Sequence, residues 1–187
     1  MSSENTFQAK PGHTALRIRP SQTSDLLSIQ AIYADAVLHG TGTFETEVPE
    51  LSEMARRRDE VLSRSLPWLV AERDGEVLGY AYANYFRPRM AYRFCLEDSI
   101  YLRADQRGQG LGRLLLAELL ARCESAGARQ MLAVIGDSAN AGSIGVHQAL
   151  GFTHTGLIAH SGWKFERWLD VVLMQRALGN GHHGSPV

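Results

Sequence analysis

A chain of 187 residues, 44% apolar and 21% charged, is long enough for one domain with its own core and has the composition of an ordinary soluble globular protein. Its formal net charge of −1 supplies no general field toward nucleic acid or an acidic membrane surface. No apolar run reaches the roughly 18 residues that a membrane span needs, and Cys95 and Cys123 stand far apart without metal-ligand spacing, against a disulfide framework or a zinc site.

Residues 1–13 read as a disordered lead-in, 14–178 as one folded domain and 179–187 as a flexible tail. The opening "MSSENTFQAKPGHT" has no apolar segment of the signal-peptide kind, so the expected compartment is the cytoplasm. His182 and His183 sit among glycines and a proline with no partner ligands, and no metal is expected there.

In chain order, "TALRIR" (14–19) predicts a short strand with Leu16 and Ile18 on one face. Leu26, Ile29, Ile32, Tyr33, Ala36 and Val37 recur at helical spacing, and "HGTGTF" ends that helix. A second, mostly polar helix over 49–64 turns Leu51, Met54, Val61 and Leu62 inward and leaves Arg56, Arg57 and Arg58 on a solvated face. "WLVAE" and "VLGYAYANY" flank Asp74-Gly75, a hairpin signal because tight hairpin turns need positive φ. "FRPRMAYRF" (86–94) is a loop rich in arginine and aromatics, and "LEDSIYL" (96–102) is a strand. A helix follows to about Ala126 with Leu111, Leu114, Leu115, Leu119 and Cys123 on its buried stripe, stopped by Gly127. "QMLAVI" (130–135) is a strand, "AGSIGVHQAL" a short helix stopped by Gly151, and two strands lie around 152–159 and 167–176. This order is that of an α/β domain around one mostly antiparallel sheet flanked by helices.

Between the strand at 96–102 and the helix after it lies "RGQGLG", with Gly108, Gly110 and Gly112 at alternate positions. The first amides of a helix have no intrahelical partners and the helix dipole adds partial positive charge there. Glycines let a phosphate come close to the backbone, and Arg107 and Arg113 can add charge-assisted contacts. The segment is not a P-loop, lacking Gly-Lys followed by Ser or Thr, nor a dinucleotide fingerprint, whose third glycine would fall on Arg113. The bland alternative is a tight strand-to-helix turn.

Arg107-x-x-Gly110-x-Gly112 resembles the acyl-CoA pyrophosphate loop of the GNAT superfamily of N-acetyltransferases, and "NAGSIGVHQALGF" (140–152) resembles that superfamily's later Asn-opened helix ending in Gly-Phe. The resemblance covers roughly 14–178. With "TGTFETE", "FRPRMAYRF", "EDSIYL" and "GWKFERWLDVVLMQ" it narrows to the phosphinothricin and methionine sulfoximine/sulfone acetyltransferases. It implies a single-domain GNAT fold, acetyl-CoA as co-substrate without a metal, a small amino-acid acceptor and a homodimer. By the same resemblance Arg107, Gly108, Gln109, Gly110, Leu111, Gly112, Arg113 and Asn140 contact CoA, and the backbone of Ile100, Tyr101 and Leu102 contacts pantetheine and the oxyanion. Read by itself, Asn140 is equally a helix cap.

Acetyl transfer to an amine requires a base, stabilisation of an oxyanion and a proton for the departing thiolate. Glu97 lies in an otherwise apolar strand, where desolvation raises a carboxylate's pKa toward a useful value. The alternatives are a carboxylate that only hydrogen-bonds the substrate ammonium or a solvent-facing strand residue. His147 stands where many superfamily members have a tyrosine acid; the alternative is a packed histidine bonded to a carbonyl. Acceptor choice falls to Arg87, with Pro88, Arg89 and Arg93, beside an apolar wall of Phe44, Phe86 and Tyr92, while Asp98 and Ser99 adjoin Glu97. Trp163, Lys164, Trp168 and Asp170 read as fold or dimer residues. The chain departs from the family at Glu166, where a glycine is expected, and at Asp98, where a histidine is common, departures that bear on the acceptor and not on the reaction class. A protein N-terminus or a polyamine as acceptor, or a non-catalytic acyl-CoA sensor, are the rival readings.

Overall fold

Continuous apolar runs along the central strands, such as Trp68–Ala71 and Val77–Ala81, make a sheet buried on both faces, and helices cover each of them. The computed structural model of the protein describes residues 15–186; the lead-in expected at 1–13 lies outside the described residues. Its elements are β1 (Arg17–Pro20), α1 (Leu26–His39), α2 (Leu51–Ser63), β2 (Trp68–Arg73), β3 (Glu76–Tyr85), β4 (Cys95–Leu102), α3 (Leu111–Ser125), β5 (Gln130–Gly136), α4 (Ala141–Ala149), β6 (Thr153–Lys164) and β7 (Arg167–Ala177). The seven strands run in the order β1-β2-β3-β4-β5-β7-β6. Neighbours are antiparallel except β4 and β5, which are parallel.

α1 packs with α2 on one face of the sheet, and α3 with α4 on the other. Successive side chains of β4 divide between these faces because a strand's period is two. Tyr101 therefore meets Tyr33 of α1 edge-on at 5.0 Å, in line with a stack of Tyr80, Trp68 and Tyr82. Ile100 and Leu102 point the other way and pack beside Gly112 of α3.

The six apolar positions expected to face inward from α1 are all buried. In α2 the stripe is Met54, Arg58 and Val61, while Leu62 is 38% exposed, so two expectations change. Positions 54, 58 and 61 follow the i, i+4, i+7 track of one helix face. Arg58 lies on that track and is not solvated: its Nε donates to Ser21 Oγ at 2.8 Å and its Nη2 to Ser21 O at 2.7 Å. Arg56 and Arg57 do lie outward, both bonded to Glu53. In α3, Leu114 is only half-buried, whereas Leu116 and Leu120 join the buried stripe. Residues 179–184 form turns, and Arg129 Nη2 donates to Ser185 O at 3.3 Å.

Asp74 and Gly75 make the expected hairpin turn with φ of 54° and 80°. The β6–β7 turn has the same sign of φ, 52° at Phe165 and 56° at Glu166, but no glycine. An L-residue with a Cβ held in that region carries roughly 1–2 kcal/mol of strain, partly offset in a glycine by its larger entropy loss on folding. Glu166→Gly is therefore expected to stabilise the fold by up to about 1 kcal/mol, read as a rise of roughly 2–4 °C in a thermal melt.

Candidate active site

The site begins where two strands stop pairing. β4 and β5 are in register only from Cys95↔Gln130 to Asp98↔Ala133, yet β4 continues to Leu102 and β5 to Gly136. Beyond Asp98 the two diverge, leaving Ser99–Leu102 without a strand partner on the β5 side. A cleft of 720 Å³ occupies the opening and reaches both faces of the sheet, bordered by residues 97–102 of β4 and 133–135 of β5.

One end of the cleft suits an anion. Gly108 and Gly110 have φ of 73° and 82°, a backbone that side chains rarely adopt, and Gly110 is the residue from which α3 starts. The first bond of that helix runs from Leu114 N–H to Gly110 O, so the amides of Leu111, Gly112 and Arg113 precede it. Arg107, Gly108, Gly110, Gly112, Asn140 and the Ile100–Leu102 segment all border the cleft. Gln109 and Arg113 are exposed beside it, and Leu111 is in the core. Arg107 Nη2 bonds Asp35 Oδ2 of α1 at 3.0 Å, which holds the arginine at the rim. Asn140 caps α4, its Oδ1 accepting from Ser143 N–H at 3.2 Å, while its Nδ2 faces Gly136 O at 3.4 Å.

Glu97 and Asp98 both border the cleft and point to opposite faces. Glu97 lies with Ser99 and Tyr101 on the α1–α2 side; burial and then the nearby Asp98 charge push its carboxyl above the usual range, with Arg87 drawing it back. Asp98 belongs to the α3–α4 side. Its Oδ2 lies 3.0 Å from His147 Nε2, both side chains being 2% exposed. Its Oδ1 is buried without a hydrogen-bond partner among the described residues. His147 Nδ1 donates to Ser143 O at 2.8 Å, so an acceptor faces each ring nitrogen, the environment of an imidazolium. Burial alone lowers the ring's pKa; the Asp98 hydrogen bond and charge outweigh it, and the net displacement is upward. The Asp98 charge also adds to burial in pushing the Cys123 thiol of α3 up to about 12.

The arginine loop is not part of this cleft. Arg87, Pro88, Arg89 and Tyr92 line a separate hollow of 240 Å³, and Arg87 and Arg93 lie over the rings of Phe86 and Phe94. Arg87 reaches the main site through its charge on Glu97. The expected three-residue wall divides: Phe86 and Tyr92 pack edge-on at 5.8 Å, whereas Phe44 seats its ring against Gly162 and Gly136. The wall on the Glu97 side is instead the backbone of Gly40–Thr43 after α1, with His39 beside it. The sequence marked 41–47 only as a segment carrying the family resemblance and gave residues 39–43 no place in the site, nor Asp137, Ser143 and Val146, which also border the cleft. The segment's own signal, two glycines closing a helix, reads as a mere stop. Among the described residues no group of three His, Cys, Asp or Glu side chains could hold a metal, and no helix is long and apolar enough to cross a membrane.

Residues 29–152 match the Acetyltransferase (GNAT) family. A phosphinothricin N-acetyltransferase of Alcaligenes faecalis is 52% identical over 172 residues, 92% of this chain and 87% of that one. An L-methionine sulfoximine/L-methionine sulfone acetyltransferase of Pseudomonas aeruginosa is 42% identical over 84% of this chain and 92% of its own. Among solved structures, a GNAT superfamily phosphinothricin acetyltransferase from Sinorhizobium meliloti in complex with acetyl-CoA superposes with a TM-score of 0.89 at 46% identity, covering 92% of this chain and 93% of that one.

The Asp98–His147 pair predicts a pH dependence of stability. Because the folded pKa of His147 lies above its ordinary 6.5, the pair contributes fully below about pH 6.5 and its contribution is lost as pH rises through the folded value. Urea unfolding should give a stability that falls from pH 6 toward pH 9, and Asp98→Asn should flatten that slope. Asp98→Ala, which leaves a buried ring N–H without an acceptor, should cost about 3 kcal/mol at pH 6.

Proposed function

The chain belongs to the GNAT acetyltransferase family, and we propose that it acetylates the amino group of a small amino-acid-like acceptor of the phosphinothricin, methionine sulfone or methionine sulfoximine type. It is an acetyl-CoA-dependent N-acetyltransferase. The observation that carries this reading is the parting of β4 from β5, which puts an anion-binding helix start at one end of a cleft and a carboxylate of raised pKa in its waist.

In this reading Gly108, Gly110 and the amides of Leu111, Gly112 and Arg113 take the pyrophosphate of CoA, with Arg107, Arg113, Gln109 and Asn140 around it. The free edge of Ile100–Leu102 pairs with the pantetheine arm as an added strand, and its amides face the thioester oxygen. Glu97 accepts the proton of the acceptor ammonium, directly or through water, and the freed amine attacks the carbonyl carbon. The nitrogen of the tetrahedral intermediate gives up its second proton to water, the oxyanion collapses with cleavage of the C–S bond, and the thiolate takes a proton. We assign that proton to His147, whose donation requires the ring to release one of its two present acceptors. Arg87, whose charge reaches Glu97, pairs with the acceptor's carboxylate from the Glu97 side, beside Ser99 and the Phe44 segment, while Pro88 and Arg89 line the separate hollow and shape the loop that carries it. Asp98, expected beside the acceptor, instead faces His147 and acts on the departing thiolate through that ring.

We also propose that the protein is a cytoplasmic homodimer. Leu157, Ile158, Trp163, Phe165 and Trp168 are all exposed on the β6–β7 hairpin, and β6 is the edge of the sheet. An apolar edge of this kind is a surface that association covers. Sedimentation should therefore report twice the 20.6 kDa mass of one chain, and Trp163→Ser with Trp168→Ser should halve it.

CoA release from acetyl-CoA against L-phosphinothricin, L-methionine sulfone, L-methionine sulfoximine, spermidine and a short peptide tests the acceptor. Turnover is expected on the first three; turnover on only spermidine or the peptide overturns the acceptor class, and CoA binding without any turnover makes the protein a sensor. Glu97→Gln should lower kcat/KM by about 10²-fold or more. The wild-type rate should fall as pH drops through the raised pKa of Glu97, because only the carboxylate accepts the proton.

A further inference from the structure

We infer that Lys164 is a positioning residue for acceptor binding, hanging the wall formed by residues 40–44 from the tip of the β6–β7 hairpin. The inference rests on the acetyltransferase reading for its substrate side, and on geometry alone for the anchoring.

Lys164 is only 5% exposed, and a buried ammonium needs partners, because burial disfavours its charge. Those of Lys164 are two backbone carbonyls of one loop: Nζ donates to Gly40 O and to Thr43 O, each at 2.9 Å. The two bonds span the ends of the segment that walls the cleft on the Glu97 side, so the lysine acts as a staple across it. The other cation at the hairpin's tip, Arg167, reaches the same segment indirectly. Arg167 Nη2 bonds Asp137 Oδ2 at 2.6 Å, Asp137 Oδ1 accepts from Ala139 N–H at 3.0 Å, and Asp137 directly follows Gly136, on which Thr41 O lies.

Packing leaves the loop no other place. A Cβ at Gly136 would stand 2.3 Å from Thr41 O, and one at Gly162 would stand 2.3 Å from the Phe44 ring. The loop therefore lies directly on the ends of β5 and β6, with Thr43 Oγ1 held 2.9 Å from Tyr33 OH on its helix side. None of these contacts involves the glycine-rich start of α3. Loss of the staple should then disturb the acceptor side of the cleft and leave the pyrophosphate end intact.

The test compares wild type with Lys164→Met and Arg167→Gln, varying acetyl-CoA and acceptor separately, together with hydrogen exchange of the 41–44 amides without substrate. The expected result is a rise of about tenfold or more in the acceptor KM for Lys164→Met and a smaller one for Arg167→Gln. The acetyl-CoA KM should stay within about twofold, and the loop amides should exchange faster. Unchanged acceptor KM and unchanged protection in both variants would overturn the inference, as would equal rises in both KM values, which mark general collapse. Arg167 is 53% exposed, so its variant carries the comparison should Lys164→Met not fold. If wild type turns over none of the acceptors, the functional reading fails, and the exchange result still decides whether Lys164 anchors the loop.

Discussion

Everything in this site follows from how β4 and β5 pair for four residues and then separate. A parallel pair inside an otherwise antiparallel sheet is joined by a crossover, here through α3, and its strands are bonded only by the ladder and by what lies against them. Once the ladder ends at Asp98 and Ala133, the separated edges expose backbone groups that need other partners. Such an edge is complementary to an extended amide-bearing chain, which is the form of a pantetheine arm. The opening is propped on both faces. On one, Asp98 bonds His147 and fixes α4 against β4; on the other, the Gly40–Thr43 backbone lies on the end of β5.

Glu97 and Asp98 are adjacent carboxylates placed on opposite faces, and their environments set different duties. Asp98 has a buried partner in the His147 ring, whose protonated form its charge and hydrogen bond favour. Glu97 has no such partner; burial and the residual field of Asp98 raise its pKa, with Arg87 opposing. Loss of the His147 proton would leave the Asp98 charge unmatched and make Glu97 still harder to ionise. The two sites are coupled through the peptide between them, and an adjacent like charge acts on Glu97 only as strongly as His147 permits.

The layered fold was legible because its signals are local: helical spacing in α1 and α3, an Asp-Gly turn, and a glycine-rich helix start. The glycine-rich corner of the cleft was legible for the same reason, since loop and helix are contiguous. Contacts between distant segments were not legible. Arg58 reads as one of three solvated arginines until Ser21, 37 residues earlier, is brought against it. Phe44 reads as part of an aromatic wall with Phe86 and Tyr92, but its ring fills notches that glycines at 136 and 162 leave open. Lys164 lies more than 120 positions from the carbonyls it holds. Asp98 and His147 were singled out separately, and nothing in their spacing joins them.

The β6–β7 tip shows how strain and function share one element. Phe165 and Glu166 occupy a backbone region that costs a side-chain-bearing residue free energy, and such conformations persist only where neighbours over-determine them. Here the neighbours are known: Lys164 immediately before the turn is fixed by two carbonyls, and Arg167 immediately after it by a buried aspartate. Pairing of Trp163 with Trp168 and of Lys164 with Arg167 then leaves the two intervening residues no extended path. A glycine at 166 would relax the turn without releasing either cation. Stability and the placing of the 40–43 segment are thus separable at this tip, because the strain lies in the turn and the anchoring contacts in the two residues that flank it.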